Sequence, residues 1–571
     1  MVPKTGWPVK RVVAFSLLFL QLLFAAALPV EFRGNEHIDE SRLYEVMGIP
    51  KPLFFEFWKE KPQMDPEKVN ALLPVIENYY RSRGFYHTKA SSRIEKGKIL
   101  ILIEEKEPIR VADVSTISLL DITGIIPFKK GDRFDAELFV RSKQKIKQYY
   151  TDHHYCNVNL DAKAFIDIEK NEAYIVYDIL PNEPCVFGKI TIHTPESVDE
   201  RIIRSLLTFR EGDPYSSELI RRSYREIYAN EGIERVVIDD TKHQGNRVPV
   251  NVNVSVYEKP LHFTAGAGYS SDEGINLQMG IKHRNFFGNL KTVGFDVRYS
   301  QIKEYVRMTA DMPLAHHNRL GLEAGVKKEI FDGYDEYSML AKFDLKHLRH
   351  PHYFQESIIF EKTDTKKSKD PVNFPNGKLL IVSPKIGWEV DKRDSFLDPT
   401  KGYRLELDGM GSIRSSISDA TYYKLFGSAS WHRSVEWGIF STRLKLGSIK
   451  VTDGRIPPSY RFYAGGMNSN RAYNYRQLGP KNRNGDPIGA YSIAEGTVEF
   501  RVPLGDSFRW IVFSDVTFLG QDEFPDFGKA YIAVGPGIRY MTPMGPIAFD
   551  VGFDINDFGE FAFHFHIGEL F

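Results

Sequence analysis

From Leu261 to the C-terminus the chain alternates apolar and polar residues with a period of two. "VGFDVRY" places Val293, Phe295, Val297 and Tyr299 on one parity and Gly294, Asp296 and Arg298 on the other. "YRLELD" sets Tyr403, Leu405 and Leu407 against Arg404, Glu406 and Asp408, and "IAFDVGFD" sets Ile547, Phe549, Val551 and Phe553 against Ala548, Asp550, Gly552 and Asp554. Successive strand side chains point to opposite faces, so each run has one apolar and one charged face. Runs of about ten residues with so much charge on the second face suit strands whose apolar side meets lipid. We count sixteen such segments over residues 261–571, the even number expected of an antiparallel barrel. Short connections such as 313–318 and 542–545 are assigned to one side, and longer ones such as 363–378 to the other. The last strand puts Phe561, Phe563, Phe565, Ile567 and Phe571 on one parity, an aromatic end that suits a closing strand.

Before residue 260 the pattern is mixed and repeats itself. "FKKGDRFDAELF" at 128–139 recurs as "FREGDPYSSELI" at 209–220, 81 residues on. Tyr80 with Gly84-Phe85, Tyr150 with His154-Tyr155, and Tyr228 with Gly232-Ile233 punctuate three units. Each unit closes on an alternating strand and a proline, Pro108, Pro184 and Pro260, at equal intervals of 76 residues. A strand, two helices and two further strands fit that length. Three such modules in series resemble polypeptide-transport-associated (POTRA) domains, with boundaries expected at 28–108, 109–184 and 185–260. A module of this kind exposes a sheet edge whose free N–H and C=O groups can pair with an extended peptide. Cys156 and Cys185, the two cysteines of the chain, are expected at the start of the second strand of the middle module and just after its third, where a disulfide or two free thiols would both fit.

Composition changes the picture in two ways. Acidic and basic side chains balance at 75 each, which gives no footprint for a nucleic-acid partner. Aromatics make up 13% of residues, and a mean hydropathy of −0.33 would suggest a soluble chain were it not for the strand pattern. At the N-terminus, Lys4, Lys10 and Arg11 precede an uncharged stretch ending in Ala25-Ala26-Ala27, as a signal peptide over 1–27 does. Export implies an oxidising compartment, where a disulfide is permitted.

One segment stands apart, "RFYAGGMNSNRAYNYRQLGP" at 461–480. It concentrates turn residues, rings and arginines in the connection between barrel strands 11 and 12. Gly465-Gly466, Arg471 and Tyr473 here closely resemble the lid-loop signature of the outer-membrane assembly superfamily with POTRA domains, which includes the BamA and TamA proteins. Asn470 and Ala472 depart from the usual signature, Ala472 from a glycine. The resemblance extends through "AGAGYSSDEG" in strand 1, "RNFFGN" before strand 3 and "DKRDSFLDPTKG" before strand 9. Three modules make it strongest toward the TamA branch. It implies an α+β array of periplasmic POTRA repeats followed by a 16-stranded antiparallel transmembrane β-barrel at 261–571. It further implies that the loop folds into the lumen, where Arg471 meets Glu499, Phe513 and Asp515 on the wall. A charge so placed needs such partners.

The function implied is insertion or secretion of β-barrel proteins such as autotransporters, without covalent chemistry or a cofactor. A seam between strands 1 and 16 is expected to open near Gly266, Gly268, Gly568 and Phe571. Implied partners are unfolded outer-membrane protein clients, outer-membrane lipid and a TamB-like partner anchored in the inner membrane. Phospholipid transport, a two-partner secretion transporter, a passive pore and a soluble β-rich binding protein are the alternatives. No G-x-S-x-G, P-loop or HExxH motif is present. His153-His154, His316-His317 and His347 to His352 lie near turns without matching carboxylates or thiols, so no metal site is assigned.

Overall fold

The computed structural model describes residues 27–49, 62–314, 317–396, 398–504, 508–542 and 545–567. The expected signal peptide, apart from Ala27, lies outside the described residues, as do His316 and the expected seam residues Gly568 and Phe571. The chain divides into two compact units. One is built on residues up to 189 with short pieces of the third module, and the other holds the rest of that module and the barrel.

The first module runs β1 (Leu28–Arg33), α1 (Glu40–Val46), β2 (Gln63–Met64), α2 (Pro66–Ser82), β3 (Lys89–Glu95) and β4 (Lys98–Glu104), with sheet order β2-β1-β4-β3. Helix α2 begins where Asp65 accepts the Glu67 N–H and Pro66 presets the first helical residue. Its Val69, Ile76 and Tyr80 recur at helical spacing and are buried against Ile99, Ile101 and Ile103 of β4.

The second module runs β5 (Arg110–Ile117), α3 (Ala136–Asp152), β6 (Val158–Asp167) and β7 (Glu172–Pro181), in the order β5-β7-β6. The two-helix expectation is corrected here, since α3 is its one helix among the described residues. Near 118–127 the Ile125 and Ile126 N–H groups reach back to Ile122 O, but Gly124 and Pro127 stop that turn from propagating. The third module runs β8 (Val186–His193), α4 (Glu200–Leu206), α5 (Ser217–Tyr228), β9 (Ile233–Asp239) and β10 (Arg247–Val256), in the order β8-β10-β9.

The repeated Gly-Asp wording has a physical origin. Gly131 and Gly212 both need a left-handed backbone, with φ of +92° and +89°. Their N–H groups donate to Val111 O and Phe187 O at 2.8 and 2.9 Å. The aromatics that follow, Phe134 and Tyr215, donate backbone N–H bonds to Ile109 O and Cys185 O, both at 2.9 Å. Cys156 and Cys185 are joined in a disulfide with Cα atoms 5.8 Å apart, tying the entry of β6 to the residue before β8.

The barrel is one sheet of sixteen strands, β11 (Leu261–Ser270) through β26 (Phe561–Ile567), each paired antiparallel with its neighbour in sequence. Its burial is inverted relative to a soluble protein. Phe549 is 42% exposed on the outer face while Asp550 beside it is fully buried within. Short connections on one side and long on the other hold for most of the barrel. Those between β14 (Lys303–Leu314) and β15 (Asn318–Phe331) and between β24 (Tyr531–Thr542) and β25 (Gly545–Asp554) are short, against the longer one between β17 (His352–Lys366) and β18 (Gly377–Asp391). Several connections depart from that rule. On the side of the 455–491 segment, two-residue turns at 301–302 and 332–333 occur, the second where the strands run long, β15 and β16 (Tyr334–Arg349). On the opposite side, 284–291 and 392–401 are extended, and buried Leu290 and the Asn285 side chain hold the first of them.

Candidate functional site

The segment 455–491 leaves β21 (Gly438–Gly454) and returns as β22 (Ser492–Leu504) after folding into the barrel. Its Ala464, Met467, Asn470, Arg471 and Ala472 are all buried. Gly465 and Gly466 carry φ of +99° and +103°, a turn that an L side chain would strain. Ala472 is not among the positive-φ residues, so a glycine is not needed there. Asn470 adds a bond of its own, donating from Nδ2 to Tyr531 O at 3.0 Å.

Arg471 sits at the apex. Its Nε and Nη2 donate to the two oxygens of Asp515 at 2.8 and 2.9 Å, and its backbone N–H donates to Asp515 Oδ2 at 3.1 Å. Nη1 donates to Glu499 Oε2 at 2.9 Å and Asp550 Oδ2 at 3.1 Å. The guanidinium lies 3.4 Å from the centroid of the Phe513 ring, so its flat face is stacked while its edge is bonded. Alternation explains the arrangement. Glu499 on β22, Phe513 and Asp515 on β23 (Phe508–Gly520) and Asp550 on β25 (Gly545–Asp554) all point inward, while Val498, Val512 and Phe549 face out.

Charge closes on itself in this cluster. Arg501 Nε donates to Glu499 Oε1 at 2.8 Å, and Arg539 Nη2 donates to Asp550 Oδ2 at 2.9 Å. Three guanidiniums thus face three carboxylates. Burial alone would lower the Arg471 pKa, but the charge and hydrogen bonds of Asp515, followed by Glu499 and Asp550, push it well above its ordinary value. The group stays cationic at any physiological pH.

Asp550 is the partner that motif reasoning misses, because it reads as one more inward residue of an alternating strand. Arg476 is also missed. It pairs with Glu329 of β15 and lies 4.3 Å from the Phe331 ring centroid, so the loop has a second anchor on another wall. Tyr473 donates its hydroxyl to Asp554, and Gln477 donates to Asp332.

The seam residues fall less tightly together. Strands β11 and β26 adjoin, yet no ladder forms between them among the described residues. The backbone bond that links them runs from Ser271 N–H to Phe565 O at 3.1 Å, with Phe565 N–H donating to Ser271 Oγ at 3.3 Å. Gly268 lies against Asn276. Gly266 instead lines a polar cavity of about 750 Å³ with Thr264, Gln278, Lys282 and Tyr228.

An Omp85 superfamily domain profile matches residues 245–571, more than half of the chain. The chain belongs to the Omp85 superfamily. The repeat described as "Surface antigen variable number repeat" (POTRA) matches 29–112, 107–182 and 186–258. Among curated relatives, the outer membrane protein assembly factor BamA of Nitratidesulfovibrio vulgaris is 20% identical over 95% of this chain and 73% of its own length. BamA of Neisseria meningitidis serogroup B is 20% identical over 80% of this chain and 62% of its own length. The crystal structure of BamA from Haemophilus ducreyi lacking POTRA domains 1–3 superposes with a TM-score of 0.59 at 16% identity, covering 81% of this chain and all of that one. This Omp85 protein is an outer-membrane barrel with periplasmic POTRA modules.

Proposed function

We propose that the chain inserts or translocates outer-membrane proteins, receiving unfolded clients at its POTRA sheet edges and passing them through the β11–β26 seam. A strand entering lipid alone carries unsatisfied backbone groups, each costing several kcal/mol. A seam with unpaired edge groups offers partners for them. The observation that carries this reading is that the described residues form no ladder between β11 and β26, beside a lid held in the lumen by Arg471. A passive pore has no use for a buried lid anchored on two walls. The BamA relatives, named as assembly factors, support the same reading. The count of three modules supports the finer one, a TamA-like role toward autotransporters with a TamB-like inner-membrane-anchored partner at the first module.

Outer membranes from cells carrying wild type, Arg471→Ala or no copy provide the test, with proteins and phospholipids quantified in the same samples. Loss of specific barrel proteins in both altered strains is the expected result. Unchanged proteins with shifted phospholipids would move the function to lipid transport. No change in either would leave a pore.

A further inference from the structure

The lid and the seam share hydrogen bonds, and two side chains make the connection. On the first-strand side, the turn between β11 and β12 (Gly274–His283) carries Asp272, whose Oδ2 accepts the backbone N–H of Met467 in the lid at 3.2 Å. Gly466 makes that approach possible, since a Cβ there would lie 3.0 Å from the same oxygen. On the last-strand side, His564 of β26 is 1% exposed, and its Nε2 lies 3.0 Å from Arg471 O. A carbonyl only accepts, so Nε2 carries the proton and donates. The other ring nitrogen, Nδ1, is 3.5 Å from both Ser271 Oγ and Asp272 Oδ1. Neutral imidazole accepts there from the Ser271 hydroxyl, and imidazolium donates to Asp272. Both forms bridge the last strand to the first-strand turn.

We propose that His564 and Asp272 form a latch that couples the seat of the lid to the closure of the seam. The proposal rests on the reading that this seam opens. His564 is a positioning residue, touching the lid backbone at the residue whose side chain the three carboxylates hold. Among the described residues the seam has no ladder, so these bonds are a large share of what joins its edges there. Coupling between two sites is reciprocal, and release of the lid therefore loosens the seam as much as an open seam loosens the lid. Withdrawal of Arg471 removes the acceptor of His564 and the segment that carries Met467 in one motion.

Hydrogen exchange on the full-length protein in lipid nanodiscs tests this, read at the lid (464–473), the seam strands (261–270 and 561–567) and, as a fold control, β17 (His352–Lys366). Arg471→Ala is expected to speed exchange at the lid and at both seam strands with β17 unchanged. The expected change is larger at the lid and roughly three- to tenfold at the seam strands, the loss of one or two hydrogen bonds. His564→Phe, approaching from the seam, is expected to speed exchange at the lid by a similar factor. His564→Gln, which keeps a donor toward Arg471 O, is expected to restore much of the protection. Asp272→Ala tests the latch from the first-strand side should His564→Phe fail to fold. A lid that exchanges freely in Arg471→Ala beside seam strands as protected as wild type would overturn the latch. So would His564→Gln and His564→Phe behaving alike. Coupled exchange together with normal client assembly would leave the latch standing and remove the assembly reading instead.

Discussion

A guanidinium buried between a lid and a barrel wall is stable only because its geometry is matched on every side. Arg471 uses its fork on Asp515, its remaining nitrogen on Glu499 and Asp550, and its flat face on Phe513. Removing it takes one guanidinium away from three inward carboxylates, and breaking a buried pair in this way costs roughly 3–5 kcal/mol. Arg471→Lys keeps the charge but loses the fork and the stacked plane. A purely steric change gives the sharper prediction. Gly552 on β25 faces the lid, and a Cβ there would lie 2.1 Å from Arg471 O. Gly552→Ala is therefore expected to lift the lid at a cost of roughly 1–3 kcal/mol without altering any charge. Gly266→Ala, with nothing within 4 Å of the added carbon, is expected to leave the lid in place. Ion conductance reads both, rising in Gly552→Ala alone. Equal conductance in the two variants would mean that the lid does not seal the lumen. The sequence made Arg471, Glu499 and Asp515 legible because a motif names them. It hid Asp550, Arg476 and His564, whose roles come from barrel closure bringing distant strands together.

At the scale of elements, period-two alternation was enough to count the strands, since each strand has one face in lipid and one in the lumen. Connection lengths were less legible. The turn at 332–333 is short because its neighbouring strands extend, and no local residue announces that extension. The missing second helix of the middle module was legible in principle, in Gly124 and Pro127. The turn at 392–401 carries a prediction of its own. Asp394 is partly desolvated, which pushes its pKa up, but the Thr400 hydroxyl and the Thr400 and Lys401 N–H groups bond the carboxylate and hold it at about 2 against an ordinary 3.8. A depressed folded-state pKa means that the turn gains stability above pH 3.8 and loses it as pH falls toward 2. Titration of the Asp394 carboxyl by carbon-13 chemical shift is expected to show a midpoint well below 3.8. An ordinary midpoint would mean that those bonds do not hold in solution.

The whole molecule joins an array of POTRA modules to a barrel whose consecutive strands are paired from β11 to β26, with no ladder between β11 and β26 among the described residues. Its lid is held on the wall by Arg471 and Arg476 and joined to both seam edges through Asp272 and His564. Under the proposed function, assembly of a client needs that seam to part, so the most direct measurement fixes it shut. Tyr269 and Phe565 stand across the seam with ring centroids 6.1 Å apart. A Tyr269→Cys, Phe565→Cys double variant, oxidised in cells that depend on this protein, is to be compared with each single variant by following the appearance of new barrel proteins in the outer membrane. Assembly is expected to stop in the cross-linked double variant and to continue in the singles. Undiminished assembly with the seam covalently closed would contradict the proposed function.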